Sequence, residues 1–300
     1  MTVIEVQNLR KTYGDTVAVR DVSFTVQRGE IFGILGPNGA GKTTTVESIS
    51  GLRAPDSGTI RVLGRDPGDK SLRRDVGVQL QESQLPDKLT VREALDLYAS
   101  FYPEPADWRA LARELGLSGK LTTAYGKLSG GQKQRLSIAL ALIGGPQIAI
   151  LDELTTGLDP QARRDTWDLI ESVRDSGVTM VLVTHFMEEA ERLCDRLAVI
   201  DDGRVVALNT PAGLVSGLAT QQRIRFRPSA PVADEQLTGL PEVHEVRRHG
   251  EQIEVVGAGN LLHAVTSVLA VNRIIAAGLR IEQASLDDAF VQLTGRSMKE

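Results

Sequence analysis

Nine consecutive residues of this sequence, Gly36-Pro37-Asn38-Gly39-Ala40-Gly41-Lys42-Thr43-Thr44, restrict its fold more than any other stretch. They match the pattern G-x-x-x-x-G-K-[ST] of a phosphate-binding loop. The glycines permit backbone conformations that a Cβ would forbid, so successive N–H groups can point at phosphate oxygens. Lys42 supplies a cation for the β- and γ-phosphates, and the Thr43 hydroxyl is a hard oxygen ligand suited to Mg²⁺.

The residues on either side of this loop predict the structural context that it needs. An apolar run at 30–35 is typical of a buried strand, and the stretch from Thr43 to Ser50 predicts a helix. The N-terminus of that helix would place a positive dipole end at the phosphates. A glycine-rich turn that matches by chance is the alternative, and eight matched positions between a strand and a helix argue against it. The sequence therefore predicts a protein that binds a nucleoside triphosphate.

Length and composition exclude several other classes of protein. A chain of 300 residues can hold one large domain and a small one. A net charge of −5 argues against a dedicated nucleic-acid binder, which usually carries a basic surface. The single cysteine, Cys194, leaves no disulfide framework, and we expect it to be a small buried hydrophobic residue in a reducing cytosol. No signal peptide is predicted, and no stretch supplies the ~20 apolar residues of a membrane span.

Two candidate ligand-binding residues lie outside the phosphate loop. Tyr13 falls in a polar turn predicted at 10–14, where its ring could stack on an adenine beside Ala18; a surface tyrosine explains it equally well. Gln81 follows a short strand predicted at 75–80, and strand ends are where α/β sheets place ligands. Its amide could meet Mg²⁺ or a water molecule, although an exposed loop glutamine is the stronger interpretation when Gln81 is taken alone.

Acidic and basic residues also follow two predicted strands. The apolar run 147–151 ends at Asp152 and Glu153, where one carboxylate can hold Mg²⁺ and the other can accept a proton from attacking water. Two acids that merely cap a strand are the alternative, which the presence of Lys42 and Thr43 weakens. His185 stands just past the strand 178–183 and could donate a hydrogen bond to a γ-phosphate, although an isolated histidine is more often structural.

Two further helix starts carry recognisable signals. The segment Leu128-Ser129-Gly130-Gly131-Gln132 precedes a helix predicted to reach Ile143, and its glycines make a second N-terminus suited to an anion. An ordinary N-cap is the alternative for Ser129. Asp159 and Pro160 predict an N-cap and first position of another helix. A capping box at 90–93 opens a helical block, about 85–145, that interrupts the α/β pattern.

Together these pieces resemble the nucleotide-binding subunit of ABC transporters. Six motifs occur in the order of that family over Thr2 to Leu214: Tyr13, the phosphate loop, Gln81, the LSGGQ signature at 128–132, the pair Asp152-Glu153, and His185. The resemblance implies an α/β fold: a P-loop NTPase core of the ABC ATPase type over 1–214, with an antiparallel β subdomain and the inserted helical subdomain. Leu154 departs from the family, which usually has proline there, so we expect a looser loop toward Asp159.

The resemblance also implies how the site works. ATP and Mg²⁺ are the expected cofactors, with Thr43, Gln81 and Asp152 at the metal. Nucleotide is expected between two copies of the subunit, so that Ser129, Gly130, Gly131 and Gln132 of one copy face the γ-phosphate held by Lys42 of the other. Glu153 is the expected general base, with His185 and Gln81 as further catalytic residues and Asp159 as the loop aspartate.

The expected partners are a second subunit and an integral membrane permease, with no nucleic acid. The expected location is the cytoplasmic face of the cell membrane, as a peripheral subunit, and the surface at Leu85, Pro86 and Leu89 is a candidate docking site.

The tail, 215–300, predicts a smaller α+β domain. Its predicted order, β-α-β-β-α-β, suggests a ferredoxin-like unit. The ending Ser285-Leu286-Asp287-Asp288-Ala289-Phe290-Val291-Gln292-Leu293-Thr294-Gly295 resembles the close of ATPase subunits from drug and antibiotic exporters of the daunorubicin-resistance type. That resemblance implies efflux of a small lipophilic compound. An amphipathic helix that packs Leu286, Phe290 and Leu293 on the tail domain is the alternative.

Two other functions fit parts of the sequence. A soluble ABC-type ATPase acting on nucleic acid or ribosomes would usually carry two cassettes, coiled coils or zinc inserts, and this chain has one phosphate loop and no cysteine cluster. A kinase or GTPase of another family would lack the LSGGQ segment, and no N-K-x-D guanine-reading segment is present.

Overall fold

The computed structural model describes residues 1–80, 84–216, 222–283 and 285–296, and the chain divides into two compact units, Met1–Pro211 and Ala212–Glu300. The strands of the first unit are β1 (Thr2–Tyr13), β2 (Thr16–Gln27), β3 (Ile31–Leu35), β4 (Ser57–Val62), β5 (Val76–Gln79), β6 (Ile148–Asp152), β7 (Thr179–Thr184), β8 (Arg196–Asp201) and β9 (Arg204–Asn209). Its helices are α1 (Lys42–Ile49), α2 (Val91–Ala99), α3 (Trp108–Glu114), α4 (Gly130–Leu142), α5 (Pro160–Asp175) and α6 (Met187–Leu193). A short helix, α7 (Pro211–Ser216), begins where the first unit ends.

The first unit is built on a nine-stranded sheet of order β4-β1-β2-β9-β8-β3-β7-β6-β5. Strands β3, β7, β6 and β5 run parallel to their neighbours. Strand β8 runs parallel to β3 and antiparallel to β9, and β1 is antiparallel to both β2 and β4. The antiparallel part joins the parallel part mainly at Asp21 and Arg204, where β2 meets β9, and the N–H groups of Arg20 and Asp21 donate to the Gly203 carbonyl at 2.8 and 3.1 Å. The expected combination of a parallel core and an antiparallel β subdomain is therefore present.

The parallel strands carry the core of the first unit. Every residue of β3, β6 and β7 is buried. Their near-continuous apolar sequences fit this position, because helices cover both faces of a parallel sheet. Carboxyl ends of adjacent parallel strands meet at one edge, so β3, β6 and β7 deliver the residues that follow them to one place.

The prediction of a polar turn at 10–14 is wrong. Strand β1 continues to Tyr13, and the turn lies at Gly14 and Asp15. Register shifts between β1 and β2 on either side of Lys11 absorb the irregular spacing of apolar residues that obscured the strand in the sequence. Asp56 also holds this end of β1, because it accepts hydrogen bonds from Lys11 Nζ at 2.8 Å and from the Thr12 N–H at 2.7 Å.

The helical block contains α2, α3 and α4. Helix α2 begins with the predicted capping box, in which the Thr90 N–H donates to Glu93 at 2.8 Å and the Glu93 N–H donates to the Thr90 hydroxyl at 3.3 Å. It ends at Ala99, two residues before the predicted end. Helix α4 begins directly after Ser129 and packs against β5.

Helix α6 was not predicted from the sequence. Phe186 occupies its N-cap without a side-chain hydrogen bond, so the usual polar start signal is missing. The available signal was the pair Glu188 and Glu189 in the first turn, which favours a helix N-terminus electrostatically.

The second unit contains β10 (Gln222–Pro228), α8 (Asp234–Thr238), β11 (Val243–His249), β12 (Gln252–Gly257), α9 (Leu261–Val271), β13 (Ala276–Gln283) and α10 (Leu286–Thr294). Its strands form an antiparallel sheet of order β11-β12-β10-β13. Ile224, Phe226 and Val255 form its core with the buried face of α9. Helix α10 has a capping box between Ser285 and Asp288 and buries Leu286 and Phe290, whereas Leu293, expected to pack with them, is exposed.

Cys194 is buried and free, as predicted. Across the described ranges, no helix combines the length and the apolar character that a bilayer crossing requires.

The packing of α4 on β5 depends on the absence of a side chain at Gly77. A Cβ there would lie 1.9 Å from the backbone carbonyl oxygen of Ala141 in α4. We expect Gly77→Ala to lower the free energy of unfolding by about 1–3 kcal/mol, because backbone on both sides must shift. Chemical denaturation followed by tryptophan fluorescence would measure this, since both tryptophans, Trp108 and Trp167, lie in the first unit.

Gly119→Ala is the matched control for this change. A Cβ at Gly119 would meet nothing within 4 Å, and the residue has an ordinary backbone angle. We expect its effect to stay within about 0.5 kcal/mol. Equal stability of the two variants would contradict the packing described for Gly77.

Candidate functional site

The phosphate loop connects the end of β3 to the start of α1, as its sequence predicts. Gly41 has a φ of 97°, and a Cβ on it would lie 2.4 Å from the Ala18 carbonyl oxygen. A Cβ on Gly36 would lie 2.2 Å from the Ile200 carbonyl oxygen. Close approach of neighbouring backbone therefore requires glycine at both ends of the loop, independently of any ligand.

Lys42 is held inside the loop that precedes it. Its ammonium group donates hydrogen bonds to the carbonyl oxygens of Gly36 at 2.8 Å and Pro37 at 3.0 Å. Burial lowers the pKa of Lys42, while the nearby charges of Glu153 and Asp152 partly oppose that fall. The side chain is thus positioned by the protein before any phosphate arrives.

A cleft of about 700 Å³ opens beside this loop, and we call it the phosphate-loop cleft. Predicted residues that line it are Ala18, Asn38, Gly39, Gly41, Lys42, Thr43 and Thr44. Glu153 and His185 line it as well, together with Thr16, Val17 and Thr156, which the sequence analysis did not single out. Residues from three strand ends and from β2 therefore meet at one opening.

Glu153 lies between the two other charged or titratable groups of the cleft. Its Oε1 is 4.0 Å from Lys42 Nζ and 3.3 Å from His185 Nδ1, and only 8% of its side chain is exposed. The residue has a φ of 50°, a conformation that L-residues with long side chains seldom adopt. Its N–H donates to the Val183 carbonyl at 2.9 Å, which ties this strained position to β7.

Asp152 is the most deeply buried acid of the site. Neither of its carboxylate oxygens has a hydrogen-bond partner within the described ranges. Burial raises the pKa of Asp152 to about 6, the charge of Glu153 adds to this rise, and Lys42 opposes it. A buried carboxylate without a donor, together with the Thr43 hydroxyl of the cleft, is the kind of oxygen ligand set that accepts Mg²⁺.

Gln81, predicted to be a catalytic and metal-binding residue, lies outside the described residues. Strand β5, which ends two residues earlier, pairs with β6 so that Gln79 lies opposite Leu151. The Gln79 side chain is buried, and its Oε1 has no hydrogen-bond partner among the residues that the structure describes. The role of Gln81 stays a prediction.

Several predicted nucleotide-binding residues are not among those that line the cleft. Tyr13 is 40% exposed, and its ring faces the Arg53 guanidinium at 5.2 Å and Lys11 Nζ at 5.9 Å. Ser129 and Gln132 form a capping box, with hydrogen bonds of 3.1 and 3.3 Å, at the start of α4. Gly130 and Gly131 form the first turn of that helix.

Asp159 also serves a helix end in this structure. Its carboxylate accepts hydrogen bonds from the N–H groups of Gln161 at 3.0 Å and Ala162 at 2.9 Å, as an N-cap of α5 should. For Ser129 and for Asp159, the ordinary capping role is therefore present, and a role toward nucleotide remains a prediction.

Leu154, where the family usually has a proline, is fully buried, and the Thr155 hydroxyl donates to Glu189 Oε1 at 2.8 Å. Trp167 Nε1 donates to the same oxygen at 2.9 Å. That the segment between Glu153 and Asp159 is looser for lack of the proline stays a prediction. Sequence reasoning missed Glu189 and Trp167, because neither belongs to a motif and their contacts cross 34 and 22 residues of chain.

Comparisons with known proteins agree with this geometry. The model of the ABC transporter family matches residues 19–156. Nod factor export ATP-binding protein I of Rhizobium etli is 40% identical over 100% of this chain and 96% of its own length. The protein of the same name from Burkholderia orbicola is 39% identical over 99% of this chain and 98% of its own length.

Solved structures are similar to most of the chain. An ATP-binding subunit of an ABC transporter has a TM-score of 0.65 and 32% identity, and the match covers 72% of this chain and 93% of that one. A dimeric ATP-binding cassette in a post-hydrolysis state, bound to ADP and Pi, has a TM-score of 0.63 and 28% identity, over 69% of this chain and 98% of that one. Relatives of this identity and coverage show the family: the chain belongs to the ABC transporter family as an ATP-binding subunit that hydrolyses ATP.

Proposed function

We propose that this chain powers an exporter, as one of two identical ATPase subunits that ATP draws together and hydrolysis releases. The observation that carries the proposal is the lining of the phosphate-loop cleft: Lys42, Glu153 and His185 converge on it, whereas the LSGGQ segment at 128–132 is not part of its lining. A chain with two helix N-termini suited to phosphate uses only one of them in its own cleft.

A second copy of the chain would complete this site. The cleft offers donors to one side of a triphosphate, and the N-terminus at Ser129 to Gln132 of a facing copy would offer donors to the other. The dimeric cassette with ADP and Pi, which is similar to 69% of this chain, supports this arrangement. ATP then binds the closed dimer more tightly than the open one, which is what a nucleotide-driven switch requires.

The chemistry follows from the positions of the polar groups. Glu153 Oε1 accepts the proton of the attacking water, and His185, 3.3 Å from it, orients that water and the γ-phosphate. Lys42 binds the β- and γ-phosphates. Thr43 and Asp152 would hold Mg²⁺, with Gln81 as a further predicted ligand. When bound, the ion neutralises charge on the phosphate oxygens.

The remaining predicted contacts concern the base and the facing copy. Ala18 lines the cleft, and we propose that Tyr13 turns its ring toward the adenine when nucleotide binds. Two cations already face that ring. Asp159 and the capping segment at Ser129 belong, in this proposal, to the neighbouring active site.

We also propose a membrane partner. Leu85, Pro86 and Leu89 follow β5 and form the suggested docking surface. Pro86 is exposed, and Leu85 and Leu89 are half-buried, so this surface is open to a partner that attaches the chain at the cytoplasmic face of the membrane. Co-purification from membranes would identify that permease.

The direction of transport and the cargo rest on different evidence. Both curated relatives described above are named for Nod factor export, which supports export. Their names do not support drug or antibiotic efflux, so a small lipophilic cargo of the daunorubicin type remains a prediction from the ending of the chain. For the second unit we propose a ferredoxin-like fold, which its antiparallel order β11-β12-β10-β13 supports.

Lys42→Ala should abolish measurable ATP binding, because the variant loses the cation that the loop holds ready for the phosphates. Equilibrium dialysis with labelled ATP would measure the affinity, and circular dichroism would check the fold. Lys120→Ala, at an exposed position, is the matched control and should bind ATP normally. Unchanged affinity in Lys42→Ala would rule out the phosphate-loop assignment.

Glu153→Gln should bind ATP and lose turnover by about 10²–10⁴-fold, because an amide cannot accept the proton of water. Steady-state phosphate release would give kcat, and dialysis would give the affinity. Glu188→Gln, exposed on α6, is the control for removal of one acidic charge. Wild-type turnover in Glu153→Gln would show that another group is the base.

Ser129→Phe, placed in the Glu153→Gln background, should prevent ATP-dependent dimerisation, because a large ring would fill the space expected for the γ-phosphate of the facing copy. Light scattering coupled to size-exclusion chromatography would report the mass with and without ATP. Ser118→Phe is the control at another exposed serine. A double variant that still dimerises with ATP would contradict the facing-site arrangement.

A further inference from the structure

A buried carboxylate outside the phosphate-loop cleft joins three segments of the first unit. Glu189, in the first turn of α6, has no exposed surface. Its Oε1 accepts hydrogen bonds from the Thr155 hydroxyl at 2.8 Å and from Trp167 Nε1 at 2.9 Å. Its Oε2 is buried and has no hydrogen-bond partner within the described ranges. One oxygen atom therefore links the loop after β6, helix α5 and helix α6.

Packing alone does not account for a glutamate at this position. A buried carboxyl group is costly unless cations or several donors compensate for it, and an apolar side chain of similar size is often as stable or more so. No lysine, arginine or histidine within the described ranges forms an ion pair with Glu189. What the glutamate supplies, and an apolar residue would lack, is one acceptor shared by two donors.

The position of these donors along the chain connects Glu189 to the cleft. Thr155 lies two residues after Glu153, and Glu189 lies four residues after His185. Two contacts therefore join the segment 153–155 to the segment 185–189. One is the hydrogen bond between Thr155 and Glu189, and the other is the contact of 3.3 Å between Glu153 Oε1 and His185 Nδ1. A shift of α6 away from Thr155 would separate these two groups.

A second contact ties α5 to the same region. The Arg163 guanidinium of α5 lies 4.4 Å from the ring centroid of Phe186, and the Phe186 and His185 rings are 4.1 Å apart. Helix α5 therefore contacts two residues of this region. Its Arg163 contacts Phe186, the residue next to His185, and its Trp167 contacts Glu189. These contacts make α5, α6 and the loop after β6 one packed group behind the cleft.

We propose that Glu189 is a positioning residue for ATP hydrolysis: as a shared acceptor for Thr155 and Trp167, it keeps Glu153 and His185 aligned on the bound nucleotide. The proposal rests on the roles proposed for Glu153 and His185. Glu189 is not among the residues that line the cleft, so it acts through Thr155 and Trp167 and not on the phosphates directly. Its loss should therefore reduce turnover and leave ATP binding intact.

Three variants separate the acceptor from the volume of the side chain. Glu189→Leu removes the acceptor and keeps a side chain of similar size. Glu189→Gln keeps an oxygen for Thr155 and Trp167 and places its amide nitrogen where Oε2 has no partner. Thr155→Val removes one donor and keeps the shape. Glu188→Leu, on the exposed side of the same helical turn, is the matched control.

The measurements are kcat, KM and the ATP dissociation constant, with rates referred to the fraction of protein that binds ATP. We expect Glu189→Leu to lower kcat by about 10- to 100-fold, the usual effect of a misplaced catalytic group. Its ATP dissociation constant should stay within about twofold of wild type. Glu189→Gln should recover most of the lost rate, and Thr155→Val should lose part of it. Glu188→Leu should match wild type.

A double-variant test identifies the route of the effect. If Glu189 acts through His185, Glu189→Leu should lower kcat much less in a His185→Ala background than in wild type, because these two effects are not independent. Equal loss in both backgrounds would overturn the proposed route. Equal activity of Glu189→Leu and wild type, or equal impairment of the Gln and Leu variants, would overturn the role of the acceptor.

Failure of this proposal can be told apart from failure of the proposed function. Wild-type turnover in Glu153→Gln or His185→Ala would remove the roles on which the proposal rests, whatever Glu189 does. Loss of activity in those two variants, with normal rates in Glu189→Leu and Thr155→Val, would rule out the positioning role of Glu189 and leave the proposed function standing. If Glu189→Leu does not fold, Thr155→Val and Glu189→Gln still decide the question, since both preserve the packing.

Discussion

Backbone pairing among three parallel strands decides where the proposed catalytic groups of this protein can lie. Leu35 of β3 pairs with Thr184 of β7, and Asp152 of β6 pairs with Val183 of β7. The phosphate loop, the acidic pair and His185 therefore leave the sheet within one residue of each other. A slip of one residue in either pairing would turn every side chain of the moved strand to the opposite face. The relative positions of these groups are thus a consequence of sheet register.

The same register places the positive charge of Lys42 and the negative charges of Asp152 and Glu153 close together among buried apolar residues. Lys42 lies among loop carbonyls, Asp152 has neither oxygen satisfied within the described ranges, and Glu153 adopts a positive φ. Each feature costs folding free energy, and together they leave the site prepared for an anionic ligand and a cation. Burial raises the pKa of Asp152 and lowers that of Lys42, so each charged form is less stable in the protein alone than in water. Polyphosphate with its metal would supply the missing interactions, which explains why such an arrangement persists.

The sequence could predict whatever depends on local chemistry. The strand, loop and helix around Lys42, the capping box at Thr90, and the acidic end of β6 all follow from short patterns, and the structure contains them. The full length of β1 could not be predicted, because bulges opposite β2 break its alternation. Neither could Glu189, since its importance comes from donors 34 and 22 residues away. Long-range contacts between residues without motifs leave no periodic signal for sequence analysis to find.

Those long-range contacts also bear on how the two copies in the proposed dimer would communicate. Asp159 caps α5 at its exposed end, and Trp167 and Arg163 of the same helix touch Glu189 and Phe186 behind the cleft. A helix is stiff over this distance, so displacement of its N-terminus must move at least one of these contacts or bend the helix. Residues 156–159, which precede α5, would be the segment on this side of the helix nearest to a facing copy in that dimer. A push on Asp159 from the neighbouring subunit would then reach His185 of this one by way of α5, without passing through the nucleotide.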